Sequence, residues 1–305
     1  MIPLVTSIGE AAAGNGALAA SVEEASFSWT EWHPHPDVLV VIAALIGAYL
    51  FAWRAFGGPR NPENRLMRAR LALYASGVGV IYLASGSPLH DLSETYLFSA
   101  HMGQHMMLTL IGPPLLIAGT PGWMLRPLLR DPVVLQAARF LLNPLVALIA
   151  FNAVTVGTHL PIVTDTALDY HAVHFLVHAV LVGTALQMWW QVFSPLPELP
   201  RLGEPWRMGY LFLQSIVPTV PASFLTFAST PLYDFYAEAP RVWDVSVVAD
   251  QRVAGLIMKL GGTIILWSLI TVFFFKWYEE EERDARGLPS WPEAEEELHR
   301  MGLMK

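Results

Sequence analysis

The chain has 305 residues, 54% hydrophobic and only 14% charged, with a positive mean hydropathy. Soluble domains carry about a quarter charged residues, so this composition belongs to a membrane protein. The net charge of −8 gathers in the tail, at Glu279 to Glu282, Glu293 and Glu295 to Glu297, and no basic surface argues for nucleic acid. Cysteine is absent, which excludes disulfides, thiolate metal sites and cysteine nucleophiles; a metal would be held by His, Met, carboxylate or backbone.

Residues 1 to 31 lack a basic n-region and a long apolar h-region, so a short, mostly disordered arm is expected in place of a cleavable signal peptide. This outer arm, taken as 1–37, ends in Trp32-His33-Pro34-His35-Pro36, where the two histidines read equally well as a capture arm or an ordinary outer segment. Seven apolar runs follow, near 38 to 56, 67 to 85, 99 to 119, 138 to 157, 172 to 193, 208 to 227 and 251 to 277. Each approaches the 20 residues that cross about 30 Å of hydrocarbon. The expected fold is an all-α integral membrane protein, a seven-transmembrane-helix bundle over 38–277, with a charged cytoplasmic tail over 278–305 and a second helical piece after Pro292. Gly112-Pro113-Pro114 falls within the third run and Pro218 and Pro221 within the sixth, where packing kinks are expected.

Cytoplasmic loops keep Lys and Arg, and fifteen of the 18 fall on the side that holds the tail. The N-terminus is therefore expected outside and the C-terminus inside. On that topology nine of the ten histidines lie on or near the outer face, and only His299 is in the tail.

His101 and His105, four apart in His101-Met102-Gly103-Gln104-His105-Met106-Met107, would stand on one helix face about 6 Å apart. His171, His174 and His178 form a second stripe at i, i+3 and i+7. Asp250 opens the seventh run from the same side, where a carboxylate can complete or orient imidazoles. The expected metal ligands are His101, His105, His174, His178 and Asp250, with spans three, five and seven adjacent at their outer ends. His90, His159 and His171, with Met102, Met106 and Lys259, are candidates to orient those ligands or line an access route. Lys259 lies nine residues past Asp250, about 13 Å deeper in the membrane, where an ionisable group is functional or paired; the companion carboxylates of a retinal pump are missing. Asp165 and Asp169 read as solvated loop charges. Imidazole suits copper, zinc and iron, and the interleaved thioethers tilt the preference to copper.

Phe98-Ser99-Ala100-His101-Met102-Gly103-Gln104-His105-Met106-Met107, then Gly112-Pro113-Pro114-Leu115-Leu116, then Asp250-Gln251-Arg252-Val253-Ala254-Gly255 resemble the polytopic cytochrome c oxidase assembly factors of the CtaG type. The resemblance runs from the second span to the end of the seventh, and His101, His105 and Asp250 match its motif position by position. It implies a role in maturing haem-copper oxidases by copper delivery or insertion on the outer face of a bacterial cytoplasmic (inner) membrane. The absence of cysteine separates this chain from the single-span copper chaperone that shares the family name.

The leading expectation is thus a non-enzymatic metallochaperone that sits among membrane lipids and hands copper to an oxidase subunit. One alternative is a haem- or metal-dependent membrane oxidoreductase with axial histidines from spans three and five, although adjacent His-His boxes are missing. Another is a copper transporter using Lys259 and the kinked spans as its path.

Overall fold

The computed structural model describes residues 27–56, 65–286, 295 and 298–301. Residues 1–26 of the expected outer arm and most of the helical piece expected after Pro292 lie outside the described residues. Among the described residues the secondary structure is helical throughout, with no strand.

The first helix, α1 (Pro36–Ala55), starts on a proline, whose missing N–H costs nothing in a first turn. It buries only Val38 and Tyr49, and Leu39, Val40, Ile46, Leu50 and Phe51 are exposed. A helix that turns its large apolar side chains outward is solvated by lipid. The second, α2 (Arg65–Gly86), ends at Ser87, whose side chain accepts from Leu89 N at 3.2 Å and starts the short helix α3 (Pro88–Thr95).

The third apolar run is α4 (Phe98–Gly119), α-helical except for a π-turn over Met107–Ile111. Pro113 and Pro114 cannot donate to the carbonyls four residues back, and the chain adapts locally without stopping. One freed acceptor, Thr109 O, takes the indole N–H of buried Trp189 at 2.8 Å. The kink expected at Gly112-Pro113-Pro114 is thus a widened turn just before it. A bend of 87° leads to a second segment, α5 (Gly122–Arg130).

The fourth run is broken. Asn143 accepts from Leu145 N and Val146 N and Pro144 follows, so a new helix starts there and the expected span at 138–157 becomes α6 (Pro132–Leu141) and α7 (Pro144–Thr158), bent by 61°. A short helix, α8 (Pro161–Asp169), leads to α9 (His171–Phe193). The sixth run, α10 (Glu204–Phe227), is interrupted near Pro218. After the short helix α11 (Asp234–Glu238) comes α12 (Val247–Ala285), 39 residues with its own π-turn at Ile257–Gly261.

Five helices are long and apolar enough to cross a membrane, or up to seven if each bent pair is one span, which makes this a multi-pass membrane protein. Leu110, Phe151, Trp189, Leu211 and Leu266 form one buried cluster that draws α4, α7, α9, α10 and α12 together. Small residues set the closest approaches. A Cβ on Gly119 would lie 2.3 Å from Tyr74 N of α2, and one on Gly255 would lie 2.8 Å from Ala222 O of α10.

Candidate metal centre

Above that core, α4 turns His101 and His105 to one face, their ring centroids 4.3 Å apart. From α9, His178 brings its Nε2 to 3.3 Å from His105 Nε2, and its ring to 5.8 Å from that of His101. One nitrogen from each of the three lies within 4.8 Å of the others. Two nitrogens bound to one ion at about 2.0 Å in tetrahedral geometry are about 3.3 Å apart, so the His105–His178 pair already has ligand spacing. His101 and His105 are buried, and His101 Nδ1 is buried without a hydrogen-bond partner. An orphaned lone pair beside two imidazoles fits a cation that accepts three nitrogen ligands.

A second group supports this face. Gln104, fully buried between the two motif histidines, donates its amide to Ala84 O at 3.0 Å and to His90 Nδ1 at 2.9 Å, and its Oε1 meets Ser93 Oγ at 3.0 Å. His90 Nδ1 is thereby the acceptor, which leaves the proton of the neutral ring on Nε2. That nitrogen lies 3.1 Å from Glu94 Oε1, and His174 Nδ1 lies 2.7 Å from the same oxygen. Glu94 Oε1 makes these two ion-pair contacts but no hydrogen bond, and the other ring nitrogen of His174, Nε2, is buried without a hydrogen-bond partner. His174 therefore stands beside the three-imidazole group, its ring 4.2 Å from that of His178, and contacts a carboxylate in place of completing the trio.

Asp250 is elsewhere. Buried to 1% exposure, it accepts from Phe98 N at 2.7 Å and Ser99 N at 3.0 Å. Leu97, the residue at the cap position of α4, offers no side-chain acceptor, so an aspartate from α12 caps the helix that carries His101 and His105. Each oxygen of the expected carboxylate ligand thus accepts a backbone N–H at the positive end of α4. Of the expected adjacency of spans three, five and seven, span three meets each of the other two: α12 meets α4 at this cap and α9 meets it at the histidines.

His159 donates Nδ1–H to Thr155 O at 2.6 Å, which leaves buried Nε2 as a free lone pair, with the ring 6.1 Å from that of His105. It faces, with His105, Met102, Met106 and Lys259, a cavity of about 40 Å³, room for about three waters. Lys259 stands on the π-turn of α12 with Nζ 5.8 Å from the Phe227 ring centroid. Met102 is fully buried, packed with Phe98, Ala222 and Leu225. His171 is at the rim, largely exposed, 3.5 Å from Asp37. Asp165 accepts from Phe235 N at 3.3 Å, and burial pushes its carboxyl up from the usual range, so it is tied to the outer loops and not merely solvated.

The sequence reading missed Glu94 and Asp91. The signal was there: Glu94 lies four residues after His90, the same one-face spacing that marks His101 and His105.

A family profile described as cytochrome c oxidase caa3 assembly factor (Caa3_CtaG) matches residues 47–280. Among curated proteins, the chain is 26% identical over 273 residues to an uncharacterized protein of Mycobacterium bovis and equally to one of Mycobacterium tuberculosis, covering 82% of this chain and 40% of each relative. An uncharacterized protein of Mycobacterium leprae is 25% identical over 246 residues, 74% of this chain and 37% of its own length. The chain thus spans about two fifths of the length of these relatives. No solved structure matches. With the profile covering most of the chain, from α1 into the end of α12, this protein belongs to the cytochrome c oxidase caa3 assembly factor (Caa3_CtaG) family.

Proposed function

We propose that this protein holds copper on His101, His105 and His178 near the outer face of a bacterial cytoplasmic membrane and passes it to a haem-copper oxidase subunit. The observation that carries the reading is the trio of imidazole nitrogens within 4.8 Å of one another, contributed by two helices. Three neutral imidazoles suit copper in either oxidation state, and the thioethers of Met102 and Met106 beside the cavity favour the cuprous one. In this reading each bent helix pair is one span, which gives seven, and the basic residues keep the N-terminus outside. Gln104 and Asp250 act as positioning residues: the first fixes the His90 tautomer and the second the start of α4. His159 offers a further nitrogen on the cavity side. A haem reading loses support at His105 and His178: axial nitrogens across one iron would be about 4 Å apart with a porphyrin between them, whereas these two touch at 3.3 Å.

Elemental analysis of the purified protein tests the proposal. About one copper per chain is expected in the wild type, lost in His105→Ala and His178→Ala with the helical content kept. Unchanged metal content in both variants and in the pair would refute a shared site, and a haem absorption band would replace copper by haem.

A further inference from the structure

The N-terminal end of the described chain is tied to the histidine face. His33 Nδ1 lies 2.9 Å from Asp91 Oδ2, and His35 Nε2 lies 3.4 Å from the other oxygen of the same carboxylate. Exposure falls inward, from 65% for the His33 side chain to 19% for His35 and 8% for His90. The rings of His35 and His90 are 4.4 Å apart, His90 and His174 share Glu94 Oε1, and the His174 ring is 4.2 Å from His178. Each donor group is thus within about 5 Å of the next, from solvent to the buried trio.

We infer that His33, His35 and Asp91 form an outer capture site for a divalent first-row cation, and that Glu94, between His90 and His174, carries the ion onward to the three-imidazole centre. The inference rests on the metal-holding reading of that centre. A network that served only to dock the arm would satisfy its own polar atoms. This one leaves His174 Nε2 buried without a partner, and holds His35 Nε2 and Glu94 Oε1 only by ion-pair contacts to Asp91 and to the rings of His90 and His174 that are not hydrogen bonds. Imidazole with carboxylate is a donor set for divalent copper or zinc. Ligand sets this close let the ion gain one donor before it loses another, so it never crosses low-dielectric protein bare. A cavity of about 280 Å³ borders the inner half of the path, with Glu94, His90, His174 and His178 on its wall, so hydrated ligand exchange has room there.

The test separates rate from capacity. Cu²⁺ alone is mixed with the full-length protein in detergent, and loading is followed by stopped-flow quenching of tryptophan fluorescence, with final occupancy read by elemental analysis. For the double variant His33→Ala/His35→Ala, and separately for Glu94→Gln, loading is expected to slow tenfold or more while final occupancy stays that of the wild type. Wild-type loading rates in both would overturn the route and leave the centre standing. No copper in the wild type would overturn the centre and the route with it. Loss of final occupancy in Glu94→Gln would overturn the transfer role, because Glu94 would then be a holding ligand. If Glu94→Gln fails to fold, the arm variant decides, since His33 and His35 lie at the margin of the bundle.

Discussion

Replacing Asp250 by alanine separates a cap from a ligand. The side chain removed is 1% exposed and accepts two backbone N–H groups, from Phe98 at 2.7 Å and Ser99 at 3.0 Å. Leaving a buried N–H unpaired costs about 1–3 kcal/mol, and two of them, less what entering water recovers, put Asp250→Ala at about 3 kcal/mol. Asp250→Asn keeps one acceptor, loses the charge that favours a helix N-terminus and turns an amide N–H toward the other donor, so about half that loss is expected. Hydrogen exchange followed by mass spectrometry reads the start of α4 directly. Protection at Phe98 and Ser99 should fall most in the alanine variant, less in the asparagine variant, and thermal unfolding in detergent should follow the same order. Copper bound to His101, His105 and His178 should weaken only as far as α4 frays. Full protection and an unchanged melting temperature, with all copper lost, would refute the capping account and return Asp250 to the ligands.

Gly119→Ala should destabilise the bundle by about 1–3 kcal/mol despite alanine's better helix propensity, because the added Cβ falls 2.3 Å from the Tyr74 backbone; equal thermal stability would show that α2 and α4 separate freely. The raised Asp165 carboxyl pKa, caused first by burial, means that the folded state holds the proton more tightly than the unfolded one, so its contribution is present at low pH and lost as pH rises through the folded value. Asp165→Asn keeps an oxygen for Phe235 N and should flatten the stability profile above the ordinary carboxyl value; a profile identical to wild type would count against it. Copper should raise thermal stability at pH 8, and less only once the pH is low enough to protonate the ligating imidazoles, because a ligating imidazole must be neutral. Chelated and loaded protein melting together at pH 8 would contradict that.

Helix positions were legible because lipid demands long apolar runs: the expected 38–56 and 172–193 became Pro36–Ala55 and His171–Phe193. The break at Asn143 was missed although Asn-Pro is a cap followed by a first-turn proline, since hydropathy alone runs straight through it. His101, His105 and His178 could be grouped from spacing within each helix plus a common depth. What spacing cannot supply is the rotation of one helix against another, and that rotation brings a His178 nitrogen into one group with the motif pair while the His174 ring, 5.9 Å from that of His101, meets Glu94. Asp250 misled for a similar reason. A buried carboxylate next to histidines has two kinds of positive partner, a cation and a helix end, and only the relative height of α4 and α12 tells them apart.

The π-turn at Met107–Ile111 lies one turn below His105. Such a turn adds one residue to a helix, and one residue advances its phase by about 100° and its height by about 1.5 Å. The upper part of α4, with its imidazoles, and the lower part, which packs Leu110 and Ile117 into the core, are therefore indexed independently. Deleting exposed Ile111 would let the helix close into regular α-geometry and swing His101 and His105 about a quarter-turn away from His178 relative to the core below. The turn's length, far more than its composition, is what the alignment of the histidine face depends on.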